Sequence, residues 1–155
     1  MAPPSAAAPT SASWPDWSLI AVAGHPCAVH VPDRPLPGRA VVYLHDVDEL
    51  PAPAAAGLRG SLERCGLPVL APLSGRSWWL DRIVPGFDPR LTPERFVLDH
   101  VRAEAERRFA AGPGSVALVG VANAGLLDRV LLRLRQQAGV ERVHHRRTVK
   151  RINSA

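Results

Sequence analysis

Apolar residues along this chain fall into five short runs separated by stretches of helical spacing. Residues 17–23 and 27–31 read as two β-type runs, and Gly24-His25-Pro26 between them is a turn signal. Ala40-Val41-Val42-Tyr43-Leu44 is a nearly continuous apolar run, as expected for a strand buried on both faces. Residues 52–65 follow a helical pattern that stops at Gly66, and residues 68–72 form another short buried strand. Thr92 then offers a helix cap, Pro93 fits a first helical turn, and Glu94 suits the positive end of the helix dipole. Val97, Leu98, Val101 and Ala105 keep helical spacing up to Phe109, where Gly112-Pro113-Gly114 ends the pattern. Val116–Gly120 reads most clearly as a buried strand, and residues 124–137 as a helix. The resulting order, β-β-β-α-β-α-β-α, predicts an α/β fold with a mostly parallel sheet. The chain shows no internal repeat.

Composition narrows this picture. The chain has 155 residues, 46% hydrophobic and 21% charged, which suits one globular domain and excludes wholesale disorder. No apolar run approaches the roughly 18 residues of a membrane span. Cys27 and Cys65 are too few for a disulfide framework, which favours a reducing, cytoplasmic setting. Residues 1–13 are uncharged and rich in Ala, Pro and Ser, and read as a disordered leader rather than a secretory signal. The formal charge of +5 is unevenly spread: residues 1–125 hold 11 Lys/Arg against 12 Asp/Glu, a net of −1, whereas residues 126–155 hold 8 against 2, a net of +6. All 16 prolines fall at or before Pro113. These breaks divide the chain into a leader (1–13), an ordinary α/β region (14–125) and a helix with a basic tail (126–155) that looks extraneous to the fold.

Candidate chemistry centres on Gly120-Val121-Ala122-Asn123-Ala124-Gly125, which joins the buried strand directly to a helix. Small residues at Gly120, Ala124 and Gly125 bracket position 122, as in a nucleophile elbow, where a tight strand-to-helix turn lifts one side chain above the sheet. The same residues also suit an ordinary glycine-containing strand–helix turn. The third strand runs into His45-Asp46, and a second suggestive run is Gly75-Arg76-Ser77-Trp78-Trp79-Leu80-Asp81-Arg82-Ile83. With Val41-Val42-Tyr43-Leu44-His45, Gly75–Ile83 and Val116–Gly125, the chain resembles the α/β-hydrolase superfamily, specifically bacterial esterases of the esterase-D-like kind, over residues 17–125.

The resemblance implies a three-layer α/β-hydrolase-like fold, incomplete at about five strands. It also implies carboxylic-ester hydrolysis through a serine, a small-molecule ester as substrate, and no cofactor. It would place the nucleophile at Ala122, one oxyanion amide at Asn123, and the other oxyanion contribution in the loop at His45 and Asp46. Arg76, Trp78 and Trp79 would then lie where substrate binds.

Two positions depart from the family pattern. Ala122 has no nucleophilic atom where the pattern has Ser, and Asp46 stands where the pattern has Gly, placing a carboxylate beside a site meant to stabilise an oxyanion. Residues 126–155 also lack the strand–loop context in which such enzymes carry their triad acid and histidine. The expectation is therefore a truncated, esterase-like protein without esterase chemistry, its tail arising from a reading-frame change or belonging to a genuine short protein. A pseudoenzyme that keeps a ligand pocket near Trp78 and Trp79 is a related reading.

Other constellations carry less. His25, Cys27 and His30 are close in sequence, but on a strand the first two share a face and His30 points away, so no metal site is expected. Asp99 and His100 are helix neighbours that do not face each other. His45 could shape the oxyanion loop or simply cap its strand, and Arg76 could bind a substrate carboxylate or be a solvated loop residue. His144-His145-Arg146-Arg147 with Lys150 and Arg151 could neutralise an anionic partner, giving a non-enzymatic rival function. Without interleaved aromatics or a recognisable motif, nucleic acid is not favoured and a solvated tail is the better reading. Sequence gives no oligomeric state.

Overall fold

A computed structural model describes residues 16–45, 56–112, 114–120 and 144–145. Its strands are β1 (Ser18–Val22), β2 (His25–His30), β3 (Ala40–Leu44), β4 (Val69–Pro72), β5 (Val116–Gly120) and the two-residue β6 (His144–His145). Among the described residues there are two helices, α1 (Ala56–Arg64) and α2, residues 93–109. The strands lie in the order β1-β2-β4-β3-β5-β6.

The sheet is mixed, which corrects the expectation of a mostly parallel, three-layer hydrolase-like fold. β1 pairs antiparallel with β2, and β2 antiparallel with β4, while β3/β4, β3/β5 and β5/β6 are parallel. The cause is local. Ala23 and Gly24 both adopt left-handed conformations, with φ of 47° and 82°, and make the two-residue turn that closes a twisted hairpin. A parallel partner would need a crossover of about a dozen residues or more, and residues 23–24 cannot supply one.

Side-chain alternation gives each sheet face its own core. Cys27, Val29, Ala40, Val42, Leu44, Leu70, Val116 and Leu118 face α2, where Phe96, Val97, Val101 and Ala105 cover them. Ala28, Val41, Tyr43, Val69 and Ala71 face the other way, against Leu62 and Leu58 of α1 and the indole of Trp17. β3 and β4 are buried along their full length, so their continuous apolar runs are explained by position in the middle of the sheet. Trp17 is tied to α1 as well, its indole N–H donating to Glu63 Oε1 at 2.9 Å.

Helix α2 starts as its sequence implies. Thr92 Oγ1 accepts from the Arg95 N–H at 3.2 Å, and Pro93 occupies the first turn. It departs from expectation at Phe96–Val101, which wind as a π-helical stretch, with the Arg102 N–H bonding to the Val97 carbonyl. The wider turn sets Phe96, Val97, Leu98 and Val101 all against the sheet, more apolar positions than the ordinary stripe would bury. The predicted helix over 52–65 is described from Ala56 onward. The predicted helix over 124–137 lies outside the described residues.

Among the described residues, no helix is long and apolar enough to cross a membrane.

Candidate functional site

β3, β4 and β5 run parallel and end together, and Leu44 at the end of β3 sits opposite Gly120 at the end of β5. From β3 the chain passes to β4 on one side, whereas the strand after β5, β6, lies on the opposite side. In open α/β sheets, strand ends whose neighbouring connections diverge in this way are the usual place for a ligand. The residues at this end are His45, which follows β3, and the loop that leaves β4 at Leu73.

His45 is 5% exposed and acts as the buttress of that loop. Its Nε2 accepts from the Ser74 backbone N–H at 3.2 Å, while the Ser74 hydroxyl stands 3.5 Å from the same atom. With the Ser74 N–H pointing at it, Nε2 is the unprotonated nitrogen, and its lone pair is directed into a structural bond. The His45 carbonyl accepts the Trp79 indole N–H at 2.9 Å, and the two rings meet edge to face at 5.3 Å. His45 therefore fastens β3 to the loop through both its backbone and its side chain.

The loop is held in an uncommon shape. Gly75, Trp78 and Trp79 have φ of 57°, 60° and 52°. Glycine adopts that region freely, but for other residues it costs about 1–2 kcal/mol each. Two adjacent tryptophans in it mark a strained turn, the kind of outlier that collects at functional sites. Trp79 is buried in the α2-side core, while Trp78 is 47% exposed. Between them and Gly75, Ser77 is 1% exposed, and its hydroxyl has no hydrogen-bond partner among the described residues. A buried polar group left without a partner costs about 1–3 kcal/mol. The loop's far end is anchored to α2: the Glu94 N–H donates to the Leu80 carbonyl at 3.2 Å, and the Thr92 hydroxyl donates to Asp81 at 3.1 Å.

The sequence-derived site residues divide as follows. His45 and Trp79 meet at the sheet end, with Trp78 and Arg76 exposed in the same turn and Gly120 buried at the end of β5. Asp46, Ala122, Asn123, Ala124 and Gly125 lie outside the described residues. Sequence singles out neither Ser74 nor Ser77 as a site residue, because loop serines are ordinarily solvated and nothing in their spacing marks these two as buried.

Two further groups are structural. His25 opens β2, stacks on Phe87 at 4.2 Å and meets Asp88 through Nε2 at 3.0 Å. Asp88 also accepts from the Arg90 and Leu91 backbone N–H groups, and these two bonds, with smaller help from His25, hold its carboxyl below the ordinary 3.8. The lowered value means that folding favours the carboxylate. Its stabilising contribution is complete above that ordinary value and is lost as pH falls through the lower folded value. Asp88→Asn is expected to lower the melting temperature at pH 7, with the gap to the parent narrowing as pH falls below the ordinary carboxylate value. Thermal melts of both proteins across pH 2–7 check this, and a gap independent of pH contradicts it.

Cys27 lies on the α2 side, and burial, aided by Glu104, pushes its thiol up to about 12, so it is no nucleophile at neutral pH. His30 points to the opposite face, its Nδ1 donating to the Asp16 carbonyl at 2.9 Å. His25, Cys27 and His30 are thus engaged in separate places. Asp99 pairs with Arg95 at 3.5 Å rather than with His100. Among the described residues, no three His, Cys, Asp or Glu side chains gather as metal ligands would.

Comparison with protein-family models finds no match for the chain, and comparison with curated proteins finds no significant relative.

Proposed function

We propose that this protein is esterase-like in derivation but binds a small molecule without cleaving it, at the loop of residues 73–84 beside His45. The observation that carries the reading is the strained Trp78-Trp79 turn around the unpartnered Ser77 hydroxyl. A protein whose only task were to fold would gain stability by relaxing both, and such costs are retained where binding uses them. The chemistry argues against turnover. Position 122 supplies no hydroxyl or thiol, and the His45 lone pair is occupied by a backbone donor. Ser74 stands beside His45, but at 3.5 Å and buried it is a poor nucleophile–base pair.

The test combines two assays on the full chain. A panel of small aromatic and aliphatic compounds is expected to contain some that change tryptophan emission saturably. Hydrolysis of p-nitrophenyl acetate is expected to match an unrelated-protein control. Turnover well above that control, or a panel without a single saturable response, overturns the proposal.

A further inference from the structure

We infer that the outer edge of β1 is a self-pairing surface, joining two copies of this chain through an antiparallel β1–β1 ladder with its two-fold axis at Ile20. β1 ends one side of the sheet, and among the described residues it has a strand partner on the β2 side alone. Which of its backbone groups face outward follows from Pro26. That residue sits opposite Ala21, has no N–H, and turns its carbonyl toward β4, accepting from the Leu73 N–H at 2.9 Å. Ala21 and Pro26 are therefore a non-hydrogen-bonded pair, so the Ala21 N–H and carbonyl point away from β2. By the alternation of an antiparallel ladder, those of Leu19 do the same. Both residues are exposed, Leu19 by 42%.

Proteins ordinarily guard such an edge with charge, proline, a bulge or brevity. β1 has none of these. It is five residues long, uncharged and free of proline, and it pairs with β2 residue for residue. From residue 17 to residue 32 the chain contains no Lys, Arg, Asp or Glu. The other edge among the described strands, β6, is only two residues long.

The same features choose the occupant. With the axis at Ile20, Leu19 of each copy lies opposite Ala21 of the other, and each such pair exchanges both of its outward backbone bonds. This is the two-fold register that pairs all five residues of both strands. It sets Ile20 against Ile20 of the second copy, on the α2 side of the sheet, and opposes no like charges. A charged peptide finds no counter-charge in residues 17–32 to select it, whereas a second β1 matches in donors, acceptors and apolarity. Because the patch is its own partner, pairing closes at two copies.

The experiment is sedimentation equilibrium of the full chain over about a hundredfold range of concentration, on which self-association depends. The mean mass is expected to rise from that of one chain to that of two, and no further. Ala21→Pro removes an outward donor and leaves the β1–β2 ladder intact, because position 21 makes no bond to β2. It is expected to weaken association at least about tenfold, since each copy loses a hydrogen bond. Ala21→Val keeps the donor and is expected to associate much as the parent does. Leu19→Lys installs the usual edge guard, and gives the same loss should Ala21→Pro fail to fold. Amide exchange reads the ladder itself: protection of Leu19 and Ala21 should rise with concentration, while Ile20, bonded to Cys27 of β2, is protected throughout.

A mass of one chain at every concentration overturns the inference, as do assemblies that grow beyond two copies. Association that neither Ala21→Pro nor Leu19→Lys weakens, or that Ala21→Val weakens as much as Ala21→Pro, also contradicts it. Protection of Leu19 and Ala21 that is independent of concentration would mean that something other than a second copy covers the edge, and the inference fails.

Discussion

Replacing Phe96 with Ala is expected to destabilise the protein by about 3–5 kcal/mol, the range for removing a fully buried aromatic ring. Phe96 has no exposed surface, and it packs against the sheet at the first residue of the π-helical stretch. Its ring meets His25 edge-on at 5.0 Å and lies 5.4 Å from Phe87, so it is the contact that joins α2 to the hairpin and to the loop before α2. A void at this place has few neighbours free to fill it, since the sheet below is fixed by hydrogen bonds on both sides. Domains of this size are stable by only about 5–15 kcal/mol, so the loss is a large fraction of the total. Urea denaturation should show a much lower midpoint with an unchanged slope, whereas Phe96→Leu should cost under about 1.5 kcal/mol. A midpoint for Phe96→Ala close to the parent's contradicts the packing described above.

Trp79→Ala is the second large effect, also about 3–5 kcal/mol, but it reads out at the site. The substitution removes a buried indole from the α2-side core and takes the hydrogen bond from the His45 carbonyl. Trp79→Phe separates the two losses: it keeps most of the ring and forgoes the bond, for a net of about 1 kcal/mol. The positive φ at residue 79 penalises Ala and Phe as it does Trp, so backbone strain does not confuse the comparison. Urea denaturation should show a much lower midpoint for Trp79→Ala than for Trp79→Phe. If both variants behave alike, Trp79 is not the anchor of the loop.

How far the sequence could be read depends on which elements are local. The strand at Ala40–Leu44 and the Thr92 cap were legible because each rests on a pattern within a few residues. The mixed sheet was not, although the cause of its β1/β2 hairpin lies at Ala23 and Gly24: a two-residue connection implies an antiparallel pair, and a β-α alternation elsewhere in the chain hid it. The antiparallel β2/β4 pairing joins segments some forty residues apart, His30 to Val69, and no local pattern encodes it. The π-helical stretch is similarly a product of packing, since residues 96–101 fit an ordinary helix equally well by spacing. At the site, the tryptophan pair stood out as unusual residues in a glycine-containing turn. Ser74, Ser77 and the double role of His45 emerged only when β3 and β4 were placed side by side. The basic tail, read as foreign to the fold, contributes His144–His145 to the sheet edge beside β5.

The central claim, that the turn around Trp78 is a binding site, is tested most directly by the indole N–H resonances of the ¹⁵N-labelled chain, with that of Trp78 assigned through Trp78→Phe. On addition of the compound panel, the Trp78 signal is expected to move progressively to saturation, with Trp79 following and Trp17, on the opposite sheet face, unmoved. A Trp78 signal that stays in place while the others shift, or that shifts in proportion to concentration without saturating, contradicts the claim.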